Sequence, residues 1–348
     1  MIAKINDSIK NQLPSYFALV MATGIMSIAS LLLGFTLLAK ILFWLNAVFY
    51  IFLFFGFVLR LLLYNSLLLA DLRSYQKGPG FFTFIAGTAI IANQILLLYS
   101  VNFFVLILLV ISIIAWLFIT YGFFYYLTVN EKKERVEVGL NGTWLIIIVA
   151  TQAISILFTA VSGSFGFNQE IILFISLCLF FSGALLYLYF MSLIVYRLSF
   201  FQLKAGELGA PYWINMGATA ITTLAGSMLI LTADKMPFLT EILPFIKGFT
   251  LFYWAGGTWW IPLLLILGAW RHLKMKVPTP VTSKGYNLTY WGMVFPLGMY
   301  TVCTFRLSEA TGLSFLKVIP EYFIYIAIFA WVAVMIGFLA RIFKTSKQ

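Results

Sequence analysis

Long apolar segments alternate with short polar linkers along the whole chain, and this pattern predicts ten membrane-crossing helices. A helix needs ~20 mostly apolar residues to cross a bilayer. The segments that meet this length are approximately residues 15–33, 40–63, 79–98, 103–129, 141–161, 170–197, 211–232, 244–273, 287–304 and 320–343. Because the linkers after the odd segments are short, we expect five tandem helical hairpins in a single membrane domain over residues 1–348.

Polar side chains are distributed unequally between the odd and the even segments. Ser, Thr, Asn and Gln number 24 among the 100 residues of the odd segments but only 9 among the 133 residues of the even segments. A hydroxyl or an amide in hydrocarbon is costly unless it finds a partner or a water-filled cavity. The pattern therefore predicts five inner helices, the odd ones, around a central pore, and five outer helices that face lipid.

The composition narrows the class of protein further. Hydrophobic residues make up 63% of the chain and charged residues 9%, with a mean hydropathy of +1.02, which is typical of an all-α integral membrane protein. No cleavable signal peptide is expected before the first segment. The two cysteines, Cys178 and Cys303, lie in apolar segments and indicate neither a disulfide framework nor a metal site. We expect no cofactor and no metal.

The basic residues predict the orientation of the chain. If the N-terminus is cytoplasmic, 17 of the 22 Lys and Arg residues lie inside and 5 lie outside. Short loops rich in Lys and Arg stay on the cytoplasmic side. We therefore expect a multi-pass protein of the cell (inner or plasma) membrane with both termini in the cytoplasm. This bias accounts for most of the net charge of +11, so no nucleic-acid partner is expected.

Acidic residues are absent from the middle of every predicted helix. All eleven Asp and Glu residues fall in loops or at helix ends, and the one histidine, His272, lies at the end of the eighth segment. Proton-coupled carriers usually place acids or histidines in the bilayer core, and acid/base enzymes need such residues in clusters. An enzyme is therefore not expected.

Four odd segments carry a run of Ala, Gly, Thr or Gln at a similar depth, ~9–14 Å below the predicted cytoplasmic end. Recurrence at matched depth favours a pore wall, although small-residue runs also let membrane helices pack closely, and Gln94 and Gln152 can instead bond across helices. Both interpretations stay open. The predicted pore-lining residues are Thr23, Gly24, Gly87, Thr88, Gln94, Thr151, Gln152, Asn215, Gly217 and Thr219.

The ninth segment contains a proline in its middle. Pro296 removes a backbone hydrogen bond and kinks the helix, and Gly292 and Gly298 loosen it further. A kink at this point can direct Phe295 into a central space.

Residues 17–29, 141–153 and 291–306 together resemble the tellurite-resistance/dicarboxylate transporter family, which includes slow anion channels of plant guard cells and fungal malate and sulfite transporters. The resemblance implies five inner helices around a pore, a homotrimer with one pore per protomer, and a phenylalanine gate before the proline of the ninth helix. On this chain the gate would be Phe295, supported by Pro296 and Gly298. A role in tellurite resistance would follow from the same resemblance.

The predicted function is an anion channel or transporter that passes small anions or C4-dicarboxylates through an uncharged pore. Arg306 outside and Arg73 and Lys77 inside would raise the local anion concentration at the pore mouths. Interfacial Arg and Lys also anchor helices or pair with acids, and this alternative stays open. The alternative function is an alternating-access carrier of malate-like dicarboxylates or sulfite. The expected partners are the anion, the lipid bilayer and two further copies of the chain.

Overall fold

The computed structural model describes residues 2–204, 206–282 and 285–346, which form helices and turns and contain no strand. Ten long helices follow one another along the chain, and we label them α1 to α10. They are α1 (Ala18–Leu32), α2 (Thr36–Leu63), α3 (Phe82–Tyr99), α4 (Phe103–Val129), α5 (Ile146–Val161), α6 (Gln169–Phe200), α7 (Ile214–Leu231), α8 (Leu243–Ala269), α9 (Trp291–Thr311) and α10 (Val318–Ser346).

Nine of these helices, all except α9, are long and apolar enough to cross a membrane, counted over the described residues and together with their flanking turns. The predicted all-α membrane fold is therefore confirmed. Helix α9 packs against α1, α7 and α10 within the bundle. It ends at Thr311 rather than near residue 304. The next residue, Gly312, takes a left-handed conformation with φ +74° and terminates the helix. Its role as a tenth crossing stays a prediction.

Each odd helix begins with a short 3-10 turn. The five turns contact one another in a closed ring at one end of the bundle. We call this end the terminal face, because the described chain begins there with the short helix Ile2–Lys10 beside Arg60 and ends there with the last turns of α10. Proline occupies the first or the second position of three of these turns, where its missing N–H costs nothing. The turns are Pro14–Phe17, Gly78–Phe81, Gly142–Leu145, Ala210–Trp213 and Leu288–Tyr290.

The odd helices form the inner ring of the bundle. Helices α1, α3, α5, α7 and α9 contact their neighbours in that order, and α9 closes the ring on α1. Each even helix packs against the odd helix that precedes it. In the most apolar stretch of α1, α3, α5 and α7, 72–94% of residues are buried, against 22–39% in the even helices. The even helices therefore present most of their surface outward, as lipid-facing helices do.

Candidate permeation pathway

A narrow chamber of about 60 Å³ lies on the axis of the inner ring. Every inner helix contributes to its wall, and the wall is almost entirely apolar. Asn93 and Arg306 are the only polar side chains among the described residues that line it. Examples of wall residues, one from each inner helix in chain order, are Ile25, Ile90, Ala153, Ile221 and Met299.

Phe295 lies on the face of α9 that lines the chamber. Met299, Val302 and Arg306 line the chamber at a spacing of three and four residues, and Phe295 continues this row by four residues toward the terminal face. Residues at this spacing share one face of a helix. The Phe295 side chain is only 2% exposed, so it is packed within the inner ring.

Two glycines let neighbouring inner helices approach α9 closely at this level. A Cβ atom at Gly217 of α7 would lie 2.6 Å from Pro296 Cγ, and a Cβ atom at Gly298 would lie 2.8 Å from Ile25 Cγ2. Carbon atoms in contact are normally ~3.5–4.0 Å apart. Any larger side chain at Gly217 or Gly298 would therefore push the inner helices apart next to Phe295.

The predicted pore-lining hydroxyls face the outer helices instead of the chamber. Three of the four, Thr23, Thr88 and Thr151, accept a hydrogen bond from an aromatic side chain of an outer helix, which satisfies a polar group that has no water available. In each of these inner helices, the residue two positions later lines the chamber, and two residues correspond to ~200° around a helix. The pairs are Thr23 with Trp331 at 3.2 Å, Thr88 with Tyr50 at 3.1 Å and Thr151 with Trp116 at 3.0 Å.

The two predicted pore glutamines also point outward. Asn46 Nδ2 of α2 donates to Gln94 Oε1 at 2.6 Å, and Gln152 Nε2 donates to the backbone oxygen of Phe180 in α6 at 2.9 Å. The bonding alternative for Gln94 and Gln152 is therefore the one that the structure supports. The fully buried Asn215 accepts a bond at its backbone oxygen from Tyr187 of α6 at 3.3 Å.

The remaining predicted wall residues also lie at helix contacts. A Cβ atom at Gly24 would lie 2.8 Å from Asn46 Nδ2 of α2, and one at Gly87 would lie 3.5 Å from the backbone oxygen of Phe17. Thr219 faces Gly257 of α8, where a Cβ atom would lie 2.5 Å from its hydroxyl oxygen. The structure therefore places these predicted wall residues at helix contacts, and the residues around the chamber are mostly apolar.

The predicted mouth residues differ in their positions. Arg306 lines the chamber and donates to Glu309 at 2.7 Å. Lys77 Nζ lies 2.7 Å from the Asp71 carboxylate, and the Arg73 guanidinium stacks over the ring of Tyr126 at 5.6 Å. Neither Arg73 nor Lys77 lines the chamber. Their contacts match the anchoring alternative.

Comparison with known proteins places this arrangement in a family. The family described as Voltage-dependent anion channel (SLAC1) matches residues 11–339. The chain belongs to the SLAC1 family. This membership confirms the resemblance to the tellurite-resistance/dicarboxylate transporters at the level of the family, and it establishes the chain as a multi-pass membrane protein of a channel and transporter family.

Relatives of this SLAC1-family chain are similar over different lengths. Two uncharacterized transporters of Methanocaldococcus jannaschii are each 25% identical to it, one over 344 residues that cover 95% of this chain and 93% of the relative, the other over 350 residues that cover 97% and 96%. An uncharacterized membrane protein of Mycobacterium tuberculosis is 37% identical over 155 residues, which cover 44% of this chain and 75% of the relative. These names specify no transported substrate.

A wider cavity of about 680 Å³, which we call the vestibule, opens at the terminal face beside the ring of 3-10 turns. Asn141 and Asn287 line it and cap two of these turns by accepting from the backbone N–H groups of Thr143 and Thr289. This cavity has no signature in the sequence, because it is formed by linkers that are far apart in the chain.

Charged side chains of both signs line the vestibule. Arg197 is 4% exposed and donates to the backbone oxygen of Glu137 at 2.7 Å, to the hydroxyl of Tyr212, and to the Glu207 carboxylate at 3.3 Å. Arg271 also lines the cavity. The sequence carried one signal for Arg197 and Arg271, because an arginine occurs near the end of four of the five outer helices, at Arg60, Arg197, Arg271 and Arg341.

A second ion cluster lies outside the pathway at the terminal face. Burial alone would raise the pKa of Asp71, but hydrogen bonds from Lys77 and Arg60 outweigh burial, so the pKa is lowered. The Arg60 side chain is 3% exposed and also donates to the backbone oxygens of Lys10 and Gln12. This cluster fastens the segment before α1 to the end of α2.

Proposed function

We propose that this SLAC1-family protein is an anion channel of the cell membrane, in which small anions or C4-dicarboxylates pass along the axis of the five inner helices. One observation carries the proposal: all five inner helices line a common chamber, and its described lining includes Arg306 but no carboxylate. A path without negative charge repels anions least. Arg306 draws anions to the end of the chamber, although its pairing with Glu309 weakens this attraction.

Phe295 is the proposed gate. It lies one helical turn, ~6 Å, from Met299 on the chamber-lining face of α9. An aromatic side chain across a narrow path leaves an ion no room for its hydration shell. Rotation of Phe295 away from the axis would open the path. Pro296 and Gly298 support this gate through the close contacts of α9 with α7 and α1.

The wall of the conduit in this proposal consists of aliphatic side chains and Met299 rather than of Thr and Gln. Such a wall supplies few hydrogen bonds to an anion in transit, and Asn93 is the amide that could donate one. Anions are favoured over cations because Arg306 is positively charged and no described lining residue carries a carboxylate that would attract a cation. Selectivity does not depend on many hydrogen-bond donors along the wall.

The surroundings of the channel follow from sequence and resemblance. The distribution of 17 and 5 basic residues supports a cytoplasmic terminal face, so the vestibule would open to the cytoplasm. The resemblance to trimeric family members supports a homotrimer with one conduit per protomer.

The test is anion current through purified protein in planar bilayers, first in chloride and then in malate. We expect little current from the wild type and a large current from Phe295→Ala. The matched control is Phe180→Ala, because Phe180 is equally buried but belongs to the outer helix α6. A large current from both variants, or from neither, would contradict a gate at Phe295.

An alternating-access carrier is the second candidate, and one observation favours it. The vestibule is wide at the terminal face whereas the chamber beyond Phe295 is narrow, as in a carrier that is open to one side. Saturable malate counterflow in liposomes, with no current from Phe295→Ala, would establish the carrier instead of the channel.

A further inference from the structure

A second cavity lies beside the vestibule on the outer side of the bundle, and we call it the lateral crevice. Its volume is about 220 Å³, and it runs between the end of α8, the turn Ala210–Trp213 and the start of α9. Leu264, Leu265, Gly268 and Met293 form its apolar part. Leu265 is 57% exposed, so the crevice opens toward the surface that faces lipid.

Arg271 and His272 stand at the end of the lateral crevice nearest the terminal face. They belong to a π-helical turn, Trp270–Lys274, that ends α8. Such turns are rare and occur frequently at functional sites. From Leu264 to Arg271 the helix rises ~10 Å. The crevice therefore combines an apolar groove with a basic end, at the depth where a membrane helix leaves hydrocarbon.

Arg271 differs from Arg60 and Arg197, which lie at the ends of two other outer helices. Arg60 has a carboxylate partner in Asp71 at 2.6 Å, and Arg197 has one in Glu207 at 3.3 Å. Among the described residues, no carboxylate lies within ion-pair distance of Arg271. Its Nε atom is buried and has no hydrogen-bond partner there, and its guanidinium stacks at 5.9 Å from the centre of the Tyr290 ring.

The charges around Arg271 favour an anionic ligand. The described lining of the lateral crevice includes no acidic residue, and Lys274 follows on the same π-helical turn. Two acids line the neighbouring vestibule, Glu137 and Glu207, and Glu207 is paired with Arg197. A buried donor without a partner destabilises the folded protein, so a ligand that accepts a hydrogen bond from Arg271 Nε removes this cost.

We propose that the lateral crevice binds one anionic phospholipid, with the headgroup phosphate on Arg271 and an acyl chain along the apolar part. The apolar groove and its opening toward lipid select a phospholipid over free phosphate, because free phosphate would use only Arg271 and leave the groove empty. Arg271 and Tyr290 line both the crevice and the vestibule, so the bound headgroup lies beside the entrance of the conduit.

The experiment is native mass spectrometry of the full chain in neutral detergent, titrated with dioleoyl phosphatidylglycerol, with dioleoyl phosphatidylcholine or with inorganic phosphate. We expect one tightly held phosphatidylglycerol per chain. Arg271→Gln should weaken this binding about tenfold, as expected for loss of a charge-assisted hydrogen bond. The charge control is Arg73→Gln, because Arg73 lies at the same face and outside the crevice.

A second variant tests the apolar part separately. A Cβ atom at Gly268 meets nothing within 4 Å and Gly268 lines the crevice, so Gly268→Leu should place its side chain in the crevice. The matched control is Gly256→Leu, which adds the same side chain to the same helix where a Cβ also meets open space. We expect Gly268→Leu to abolish the tight phosphatidylglycerol site and Gly256→Leu to retain it.

Three outcomes would overturn the proposal. Equal binding of phosphatidylglycerol and phosphatidylcholine would show that Arg271 selects no anionic headgroup. Tight binding of inorganic phosphate that survives Gly268→Leu would identify a free-anion site. Retention of phosphatidylglycerol in both Arg271→Gln and Gly268→Leu would place bound lipid elsewhere. None of these outcomes depends on anion flux, so this proposal can fail while the channel proposal stands.

Discussion

The ion cluster at the end of α2 permits a quantitative prediction for Asp71→Asn. The Asp71 carboxylate contacts Arg60 at 2.6 Å and Lys77 at 2.7 Å, but the Arg60 side chain is 3% exposed whereas that of Lys77 is 54% exposed. The substitution keeps the shape of the side chain and removes its charge. Arg60 is then left as a buried cation without a counter-ion.

The magnitude follows from the exposure of the two partners. Removing one member of a buried pair costs about 3–5 kcal/mol when the other is left uncompensated. Arg60 keeps its bonds to the backbone oxygens of Lys10 and Gln12, which lowers the cost to about 2 kcal/mol. The exposed pair with Lys77 contributes about 0–1 kcal/mol. We therefore expect Lys77→Gln to cost at most about 1 kcal/mol.

The pH dependence has a defined sign. Because the folded-state pKa of Asp71 is lowered, its contribution to stability is fully present above the unfolded pKa of about 3.9. It is lost as the pH falls through the folded-state pKa. The stability difference between wild type and Asp71→Asn should therefore be constant from pH 6 to pH 8 and should shrink in acid, below about pH 4.

The assay is unfolding of purified protein in mixed micelles with increasing sodium dodecyl sulfate, followed by tryptophan fluorescence at several pH values. Wild type, Asp71→Asn and Lys77→Gln are compared under identical conditions. If the two variants lose the same small amount of stability, Arg60 does not depend on Asp71. If the Asp71→Asn difference persists undiminished in acid, the carboxylate charge is not its source.

Three further predictions concern the inner ring. Ala153→Asp should reduce anion current in the Phe295→Ala background to near zero, because it places a carboxylate in the chamber, whereas Ala153→Ser should conduct. A double-mutant cycle of Trp116→Phe and Thr151→Val should give a coupling energy of about 0.6 kcal/mol in micelle unfolding, the average for hydrogen bonds between membrane helices; zero coupling would contradict the bond at 3.0 Å. Gly226→Ala should destabilise the protein by about 1–3 kcal/mol, because its Cβ would collide with the Thr250 hydroxyl, and Thr250→Ala should restore most of the loss when the two are combined.

The sequence predicted the arrangement of the helices better than the direction of their side chains. Polar content separated inner from outer helices correctly because hydrocarbon rejects unpaired polar groups on any lipid-facing surface. The same rule is satisfied whether Thr23 faces a pore or bonds to Trp331 across a helix interface. Composition therefore could not choose between these two positions, and only the contacts of the folded chain do.

The spacing of residues in the odd segments nevertheless indicates which side chains face the axis. Thr23 precedes the chamber residue Ile25 by two positions, and Thr88 stands in the same relation to Ile90. Two positions place side chains on nearly opposite sides of a helix. Once one threonine is known to face an outer helix, the apolar residue two positions later is expected to face the axis. The vestibule had no such periodic signal, because long-range contacts between linkers create it.

The contacts of the inner helices favour a gate that opens by side-chain rotation over one that opens by helix movement. Displacing α1 or α5 outward would strain bonds such as those of Thr23 with Trp331 and of Thr151 with Trp116. Displacing α9 would open the close contact between Gly217 and Pro296. Rotation of Phe295 breaks none of these interactions. Each broken bond would add to the free-energy barrier for opening. Inner helices held by these contacts therefore favour opening by rotation of Phe295, the side chain that the proposed function places across the path.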